Sequence, residues 1–371
     1  MFTIPESPRL IATMLQLLYH VRPNGKSPDN RSLAIAVERE GEQRGTDPTE
    51  RRSLAGMKNR LRCLPLLIAA MFVVCAAAMP ASAQRPDEPL PPPDFSNVRY
   101  GAHERNVLDL WKAPGNGPAP LVVFIHGGGF VGGDKSRLSA AALKKALAGG
   151  AHVMSINYRY LKHAPIQDIL RDCARAIQFI RLHAKEYGVD PRRIACFGPS
   201  AGAGASLWLA THDDLADPSS PDPVLRQSSR IRAAACLNGQ ATYDLTRWEP
   251  MFGAIRADWK RSEAEPREFY HFASDADFER EAGRKILKDC DMLSLLSKDD
   301  PPIWMFCSYP PGIPKDRGHL LHHPRHMELV RQHGEDAGVR VETWTGADVK
   351  EPAVAAVEFL LKHLKKDPGG K

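Results

Sequence analysis

No apolar run in this sequence is long enough to cross a bilayer comfortably. The longest, residues 64–79, spans sixteen residues where a membrane helix needs about 20. An excess of charge of one sign is also missing. Across the 371 residues, 50 Lys and Arg face 44 Asp and Glu; residues 1–83 hold 11 and 7 of these, leaving 39 against 37 from Gln84 onward. A balance this close to neutral argues against a nucleic-acid or acidic-membrane partner. Cysteine is scarce as well. Of seven, Cys63 and Cys75 fall in the early apolar segment, leaving Cys173, Cys196, Cys236, Cys290 and Cys307. An odd number cannot all pair within the chain, and Cys196, Cys236 and Cys307 sit in apolar runs where a thiol behaves as a small hydrophobe. A phosphate-binding loop is absent too, because Asp134 separates Gly133 from Lys135 where that motif needs Gly and Lys adjacent.

What is present begins with a targeting signal. Lys58, Arg60 and Arg62 form a basic start, the apolar run follows, and Ala81-Ser82-Ala83 precedes Gln84, which reads as a secretory signal peptide over residues 57–83. A retained anchor helix is the alternative. Such a signal works at the start of a chain, so translation is expected to begin at Met57. Residues 1–56 are then outside the native protein or a disordered extension. The expected location is periplasmic or secreted, free of the membrane after processing. Residues 84–96, rich in proline, read as a linker, and residues 97–367 as one domain.

Inside that domain, strand-like and helix-like stretches alternate. Residues 98–100 and 107–111 suggest a leading antiparallel hairpin, and the wholly apolar residues 121–125 suggest a strand covered on both faces. Helical and apolar stretches at 138–147, 152–158, 166–187 and 193–197 follow in turn, predicting an α/β fold with a mostly parallel central sheet and helices on both faces.

Gly198-Pro199-Ser200-Ala201-Gly202 stands where the strand ending at Phe197 turns into an alanine-rich helix. A G-x-S-x-G elbow in that context exposes a nucleophilic serine at the helix N-terminus, whereas a helix-capping serine is the bland alternative. Upstream, His126-Gly127-Gly128-Gly129-Phe130 follows directly on a buried strand, and its backbone N–H groups suit an oxyanion hole.

The stretches LDLW, VVFIHGGGFVGGDKS, INYRY and YGVDPRRIACFGPSAG together resemble the α/β-hydrolase fold, and within it the carboxylesterase group that includes hormone-sensitive-lipase-like and feruloyl or acetyl esterases. The resemblance covers residues 100–212. It implies a serine hydrolase of carboxylic esters with Ser200 as nucleophile, Gly128, Gly129 and Ala201 as oxyanion hole and His126 supporting that loop. It implies no metal or organic cofactor, and a small-molecule or carbohydrate ester as substrate.

In such enzymes the acid follows the next-to-last strand and the base follows the last. Here the first loop opens with Tyr309, Pro310, Pro311 and Gly312, and its nearest carboxylate is Asp316; the second contains Asp348 and no histidine. The remaining histidine, His363, lies well into the C-terminal helix. One reading takes the base from His322 or His323, with Asp348 or Asp316 as orienting acid, since only geometry defines a triad. A second reads the scaffold as a binding protein or weakened hydrolase. A third takes His319, His322, His323 and His326 as a metal cluster, against which Pro324 stands because it interrupts a helix through them. A secreted peptidase on the same scaffold is a further alternative. Residues 241–300, rich in aromatics, form an insertion expected to overhang the strand ends as a lid, and Asp244 within it is an alternative acid or a local turn former.

Overall fold

The run Leu121–Ile125 lies at the centre of the molecule, and its side chains alternate between two cores. Leu121, Val123 and Ile125 pack on one sheet face, Val122 and Phe124 on the other, as the two-residue repeat of a strand dictates. The computed structural model describes residues 89–365. The expected signal at 57–83 and the segment 1–56 lie outside the described residues.

Eight strands form one sheet: β1 (Phe95–Arg99), β2 (Val107–Trp111), β3 (Ala119–Ile125), β4 (His152–Ile156), β5 (Val189–Pro199), β6 (Ala234–Leu237), β7 (Ile303–Cys307) and β8 (Val341–Thr345), in spatial order β1-β2-β4-β3-β5-β6-β7-β8. The β1–β2 and β2–β4 pairs are antiparallel; from β4 through β8 all neighbours are parallel. Helices α1 (Ala140–Ala148), α2 (Ile166–Leu182) and α3 (Ala201–Thr211) connect the early strands. α3 is buried along its whole length, which is why it is rich in alanine and glycine on every side. The sheet with helices on both faces is the α/β-hydrolase architecture expected from the motifs.

The insertion supplies α4 (Trp248–Phe252), α5 (Glu265–Tyr270) and α6 (Glu281–Asp289). Beyond β7 come the short α7 (Arg317–Leu321), then α8 (Pro324–Ala337), and α9 (Pro352–Leu364) closes the chain. Pro324 is the first residue of α8, where its missing N–H goes unused, so it separates α7 from α8. Among the described residues, no helix is long and apolar enough to cross a membrane.

One expectation needs correction. The stretch 84–96 is not a free linker throughout: Leu90 packs against the core, Trp111 donates to the Pro91 carbonyl at 2.8 Å, and Asp94 accepts the backbone N–H of Lys112 at 2.7 Å. Phe95 already belongs to β1. The five described cysteines are all free and buried.

Candidate active site

Ser200 sits between β5 and α3 with φ 52° and ψ −116°, a left-handed backbone that a non-glycine residue adopts only when its surroundings enforce it. The enforcement is visible. A Cβ at Gly198 or Gly202 would lie 2.1 or 1.9 Å from the Ile125 carbonyl, so only glycine on both sides of the serine lets the elbow press against β3. The Ser200 N–H donates to the Leu237 carbonyl at 2.8 Å, which pins the elbow to β6.

The glycine loop after β3 lies beside it. Gly128 has φ 119° and Gly129 φ 60°, and the Gly128 carbonyl accepts from the N–H groups of Val131 and Gly132, both at 3.1 Å. Gly129 and Ala201 line the same cavity as Ser200, while Gly128 is exposed next to it. As the first residue of α3, Ala201 has an N–H with no partner inside the helix, and the positive end of the helix dipole points the same way.

His126 anchors that loop from below. Its Nδ1 pairs with the Gly127 carbonyl at 2.8 Å, the Tyr158 hydroxyl donates to its carbonyl at 2.6 Å, and its ring stacks on Tyr158 with centroids 4.2 Å apart. Burial pulls its pKa down to about 4, so the ring is neutral at neutral pH. With Nδ1 donating, Nε2 accepts from the Arg105 guanidinium, 3.4 Å away.

The imidazole that meets the serine is His322. Its Nε2 stands 2.9 Å from Ser200 Oγ. It caps the C-terminal end of α7, its ring lies beside Tyr309 at 5.1 Å, and its own carbonyl accepts the Cys307 thiol at 3.2 Å. Burial lowers its pKa, partly offset by the Gly318 carbonyl, which favours the charged ring. Its buried Nδ1 has no partner in hydrogen-bond geometry among the described residues.

Among the described residues no carboxylate fills the orienting position, so the readings of both acids are corrected. Asp316 is exposed and caps α7, accepting the His319 N–H at 2.8 Å. Asp348, also exposed, closes a turn by accepting the N–H and hydroxyl of Thr345 at 3.2 and 2.6 Å. Asp244 likewise serves a local turn, accepting from Thr246 N–H at 3.0 Å and its hydroxyl at 2.6 Å. Placing His323 as base is corrected too: its Nε2 faces the Gly312 carbonyl at 2.7 Å and its Nδ1 accepts the Arg325 N–H at 3.0 Å at the start of α8. The four clustered histidines do not converge on a metal. Nε2 of His319 faces the Pro310 carbonyl and that of His326 the Leu320 carbonyl, so the rings turn to different backbone groups. Elsewhere His103, Glu104 and His163 bring ligand atoms within 4.8 Å of one another. Nδ1 of His103 and of His163 accepts a backbone N–H, from Arg105 and Tyr160, leaving each Nε2 protonated and poorly set to hold a cation.

Several contributors were invisible in sequence. Tyr243, in the insertion, donates to the Ala201 carbonyl at 3.2 Å and lies 3.3 Å from Gln240 Oε1, and Gln240 Nε2 donates to the Leu321 carbonyl at 2.7 Å. This chain of contacts joins the elbow to Leu321, the residue preceding His322. Its only sequence trace is Gly204, where a Cβ would stand 1.9 Å from the Tyr243 hydroxyl. Glu265 at the start of α5 accepts Arg317 Nη1 at 2.9 Å and Nη2 at 2.5 Å, tying the insertion to the first residue of α7. The cavity between these parts holds about 560 Å³ and is lined by Ser200, Tyr243, Trp248, Trp259 and Phe269 among others.

Residues 108–309, more than half of the chain, match the family model described as BD-FAE. The chain belongs to the BD-FAE family. Among curated relatives of this family member, the isoprenylcysteine alpha-carbonyl methylesterase ICME of Arabidopsis thaliana is 34% identical over 108 residues, 29% of this chain and 25% of the relative. Esterase LipC of Mycobacterium tuberculosis is 27% identical over 213 residues, 55% and 48% of the two chains. The alignments span about a third of the first curated relatives. Among solved structures, a truncated carbohydrate esterase from gut microbiota superposes with a TM-score of 0.57 at 17% identity, over 73% of this chain and 96% of the other. Native esterase 2 of Thermogutta terrifontis gives 0.51 at 21% identity, over 74% and 92%. These two likenesses concern the fold.

Proposed function

We propose that this BD-FAE family member is a carboxylic ester hydrolase working through a Ser200 acyl-enzyme with His322 as base. The observation that carries the reading is the 2.9 Å contact between Ser200 Oγ and His322 Nε2. His322 takes the hydroxyl proton as Oγ attacks the ester carbonyl, and the oxyanion is received by the N–H groups of Ala201 and Gly129, with Gly128 beside them. Each such donor supplies about 3 kcal/mol of transition-state stabilisation. The imidazolium then protonates the leaving alcohol. Water, deprotonated by the same Nε2, releases the acid and restores Ser200. His126 keeps the glycine loop in shape. The esterase names of the curated relatives support the reaction class.

The pair functions without a carboxylate on Nδ1. The missing acid favours a slow enzyme over an efficient one, and in the limit a binding protein. The aromatic walls of the cavity suit acyl groups borne on flat or sugar-like alcohols. Export through residues 57–83 belongs to the same proposal and places the substrate outside the cytoplasm.

Hydrolysis of 4-nitrophenyl acetate by the wild type, Ser200→Ala and His322→Ala tests the mechanism. The expected result is turnover by the wild type and loss of at least 100-fold in each variant. Turnover no faster than that of Ser200→Ala would leave a binding protein.

A further inference from the structure

Charge inside the cavity is unevenly matched. Lys260, Arg261 and Arg317 line it together with two carboxylates, Glu249 and Glu265. Glu265 is already saturated. Its oxygens accept the Arg261 N–H at 2.7 Å, Arg261 Nε at 2.9 Å, Arg317 Nη1 at 2.9 Å and Arg317 Nη2 at 2.5 Å, using the four acceptor positions a carboxylate offers. Glu249 is exposed at the rim and forms no ion pair among the described residues.

Two cations therefore share one buried carboxylate, and a third, Lys260, lines the same cavity. The Lys260 ammonium has no salt bridge among the described residues, and Arg261 engages Glu265 only through Nε and its backbone, which leaves its two terminal nitrogens for another acceptor. The arrangement is held in advance. The Glu265 contacts fix the Arg261 guanidinium, and the turn Ala257–Trp259 delivers Lys260 beside it, its N–H donating to the Ala257 carbonyl at 3.1 Å. A neutral ester offers these cations only uncharged acceptors in place of water, whereas a carboxylate would replace the lost hydration with stronger, charge-assisted hydrogen bonds.

We propose that the substrate of this site is an anionic ester: one whose acyl or alcohol part carries a carboxylate, recognised by Lys260 and the free edge of Arg261 while Ser200 attacks the ester carbonyl. Acylated acidic sugars and half-esters of dicarboxylic acids both have this chemistry. The inference rests on the hydrolase reading for its catalytic half, and on the cavity alone for its binding half.

Two matched pairs separate the sources of the charge. On the alcohol side, 4-acetoxybenzoate is compared with 4-acetoxybenzamide; on the acyl side, the mono-4-nitrophenyl ester of adipic acid is compared with 4-nitrophenyl hexanoate. The expected result is a kcat/KM preference of about tenfold for the charged member of one pair, shrinking as salt rises. In Lys260→Gln/Arg261→Gln the preference falls below about twofold. Equal kcat/KM values within both pairs overturn the proposal while leaving the hydrolase intact, and so does a preference that survives the double substitution. Should the wild type hydrolyse nothing, calorimetric binding to Ser200→Ala decides. Tighter binding of both or either charged member than of its neutral partner, abolished by Lys260→Gln/Arg261→Gln, upholds an anion site, and equal binding overturns it.

Discussion

The hydroxyl of Tyr243 donates to the carbonyl of Ala201 at 3.2 Å, so a residue of the insertion holds the turn that carries Ser200. Through Gln240 the same residue reaches the Leu321 carbonyl, one position before His322. Serine and histidine come from chain segments more than a hundred positions apart, and this relay fixes their separation. Tyr243→Phe is expected to keep the fold, since the ring remains packed against Phe130 and Phe269. It should lower kcat several-fold more than it raises KM, because misplacement of reacting groups acts on the chemical step. Steady-state kinetics checks the split; an effect confined to KM would speak against the relay.

The tightness of the elbow gives a second expectation. A methyl group at Gly202 meets the backbone of β3, which cannot rotate away, so Gly202→Ala should cost about 2–4 kcal/mol of stability through forced backbone movement. At Gly129, where nothing lies within 4 Å of an added Cβ, only the φ of 60° opposes substitution, and the cost should be near 1 kcal/mol. Chemical denaturation of both variants compares them directly; equal losses would remove the close approach as the cause.

The acidic limb of activity follows from His322. Burial lowers its pKa below the ordinary 6.5, so the base stays unprotonated further into the acid range. The pH at which kcat/KM is half-maximal should therefore lie below 6.5. A midpoint at or above that value would mean that a carboxylate supports the ring in solution.

Stability carries its own pH signature. His126 and His326 are buried and neutral, with pKa values lowered to about 4 and about 3. An unfolded chain binds protons at these rings below pH 6.5 and the folded one does not, so stability is present above 6.5 and is lost as pH falls toward 4 and then 3. His126 alone accounts for about 3 kcal/mol over that window. His126→Gln should flatten the profile of unfolding free energy between pH 6.5 and 4; an unchanged slope would place the effect elsewhere.

Asp348→Asn and Asp316→Asn test the missing acid. Removal of a true orienting carboxylate costs about 10⁴ in kcat, whereas Asp348 closes only a surface turn, and its substitution should change kcat by less than about twofold. Asp316→Asn retains a capping side chain for α7 and should behave likewise. A large loss in either would assign that residue to the base.

The sequence was most legible where local chemistry determines structure. The central strands read as apolar runs because both sheet faces are covered, and the elbow announced itself through glycines whose Cβ atoms have no room. Strand ends were less legible. β5 begins at Val189 rather than Arg193 because Ala119 of β3 pairs with Val189 across a register shift, a long-range fact. β1 begins at Phe95 because a bulge at Asn97, with φ 54°, lets strand pairing continue through polar residues. The choice between His322 and His323 was beyond sequence: the two adjacent rings point apart because one ends α7 and the other starts α8. The contacts of Tyr243, Gln240, Glu265 and Arg317 join distant segments and have no periodic or motif signature.

His322, the proposed base, stands after β7, one strand earlier than the expected order of such triads places it. Every side chain assigned to chemistry is thus synthesised before residue 323, and β8 and α9 contribute only buttressing. Divergence from residue 323 onward should then alter how firmly the parts that carry the reaction are held and leave the reaction itself untouched. In a laboratory lineage evolved for activity, beneficial changes would gather upstream of that point, and those gained for endurance would be free to gather beyond it.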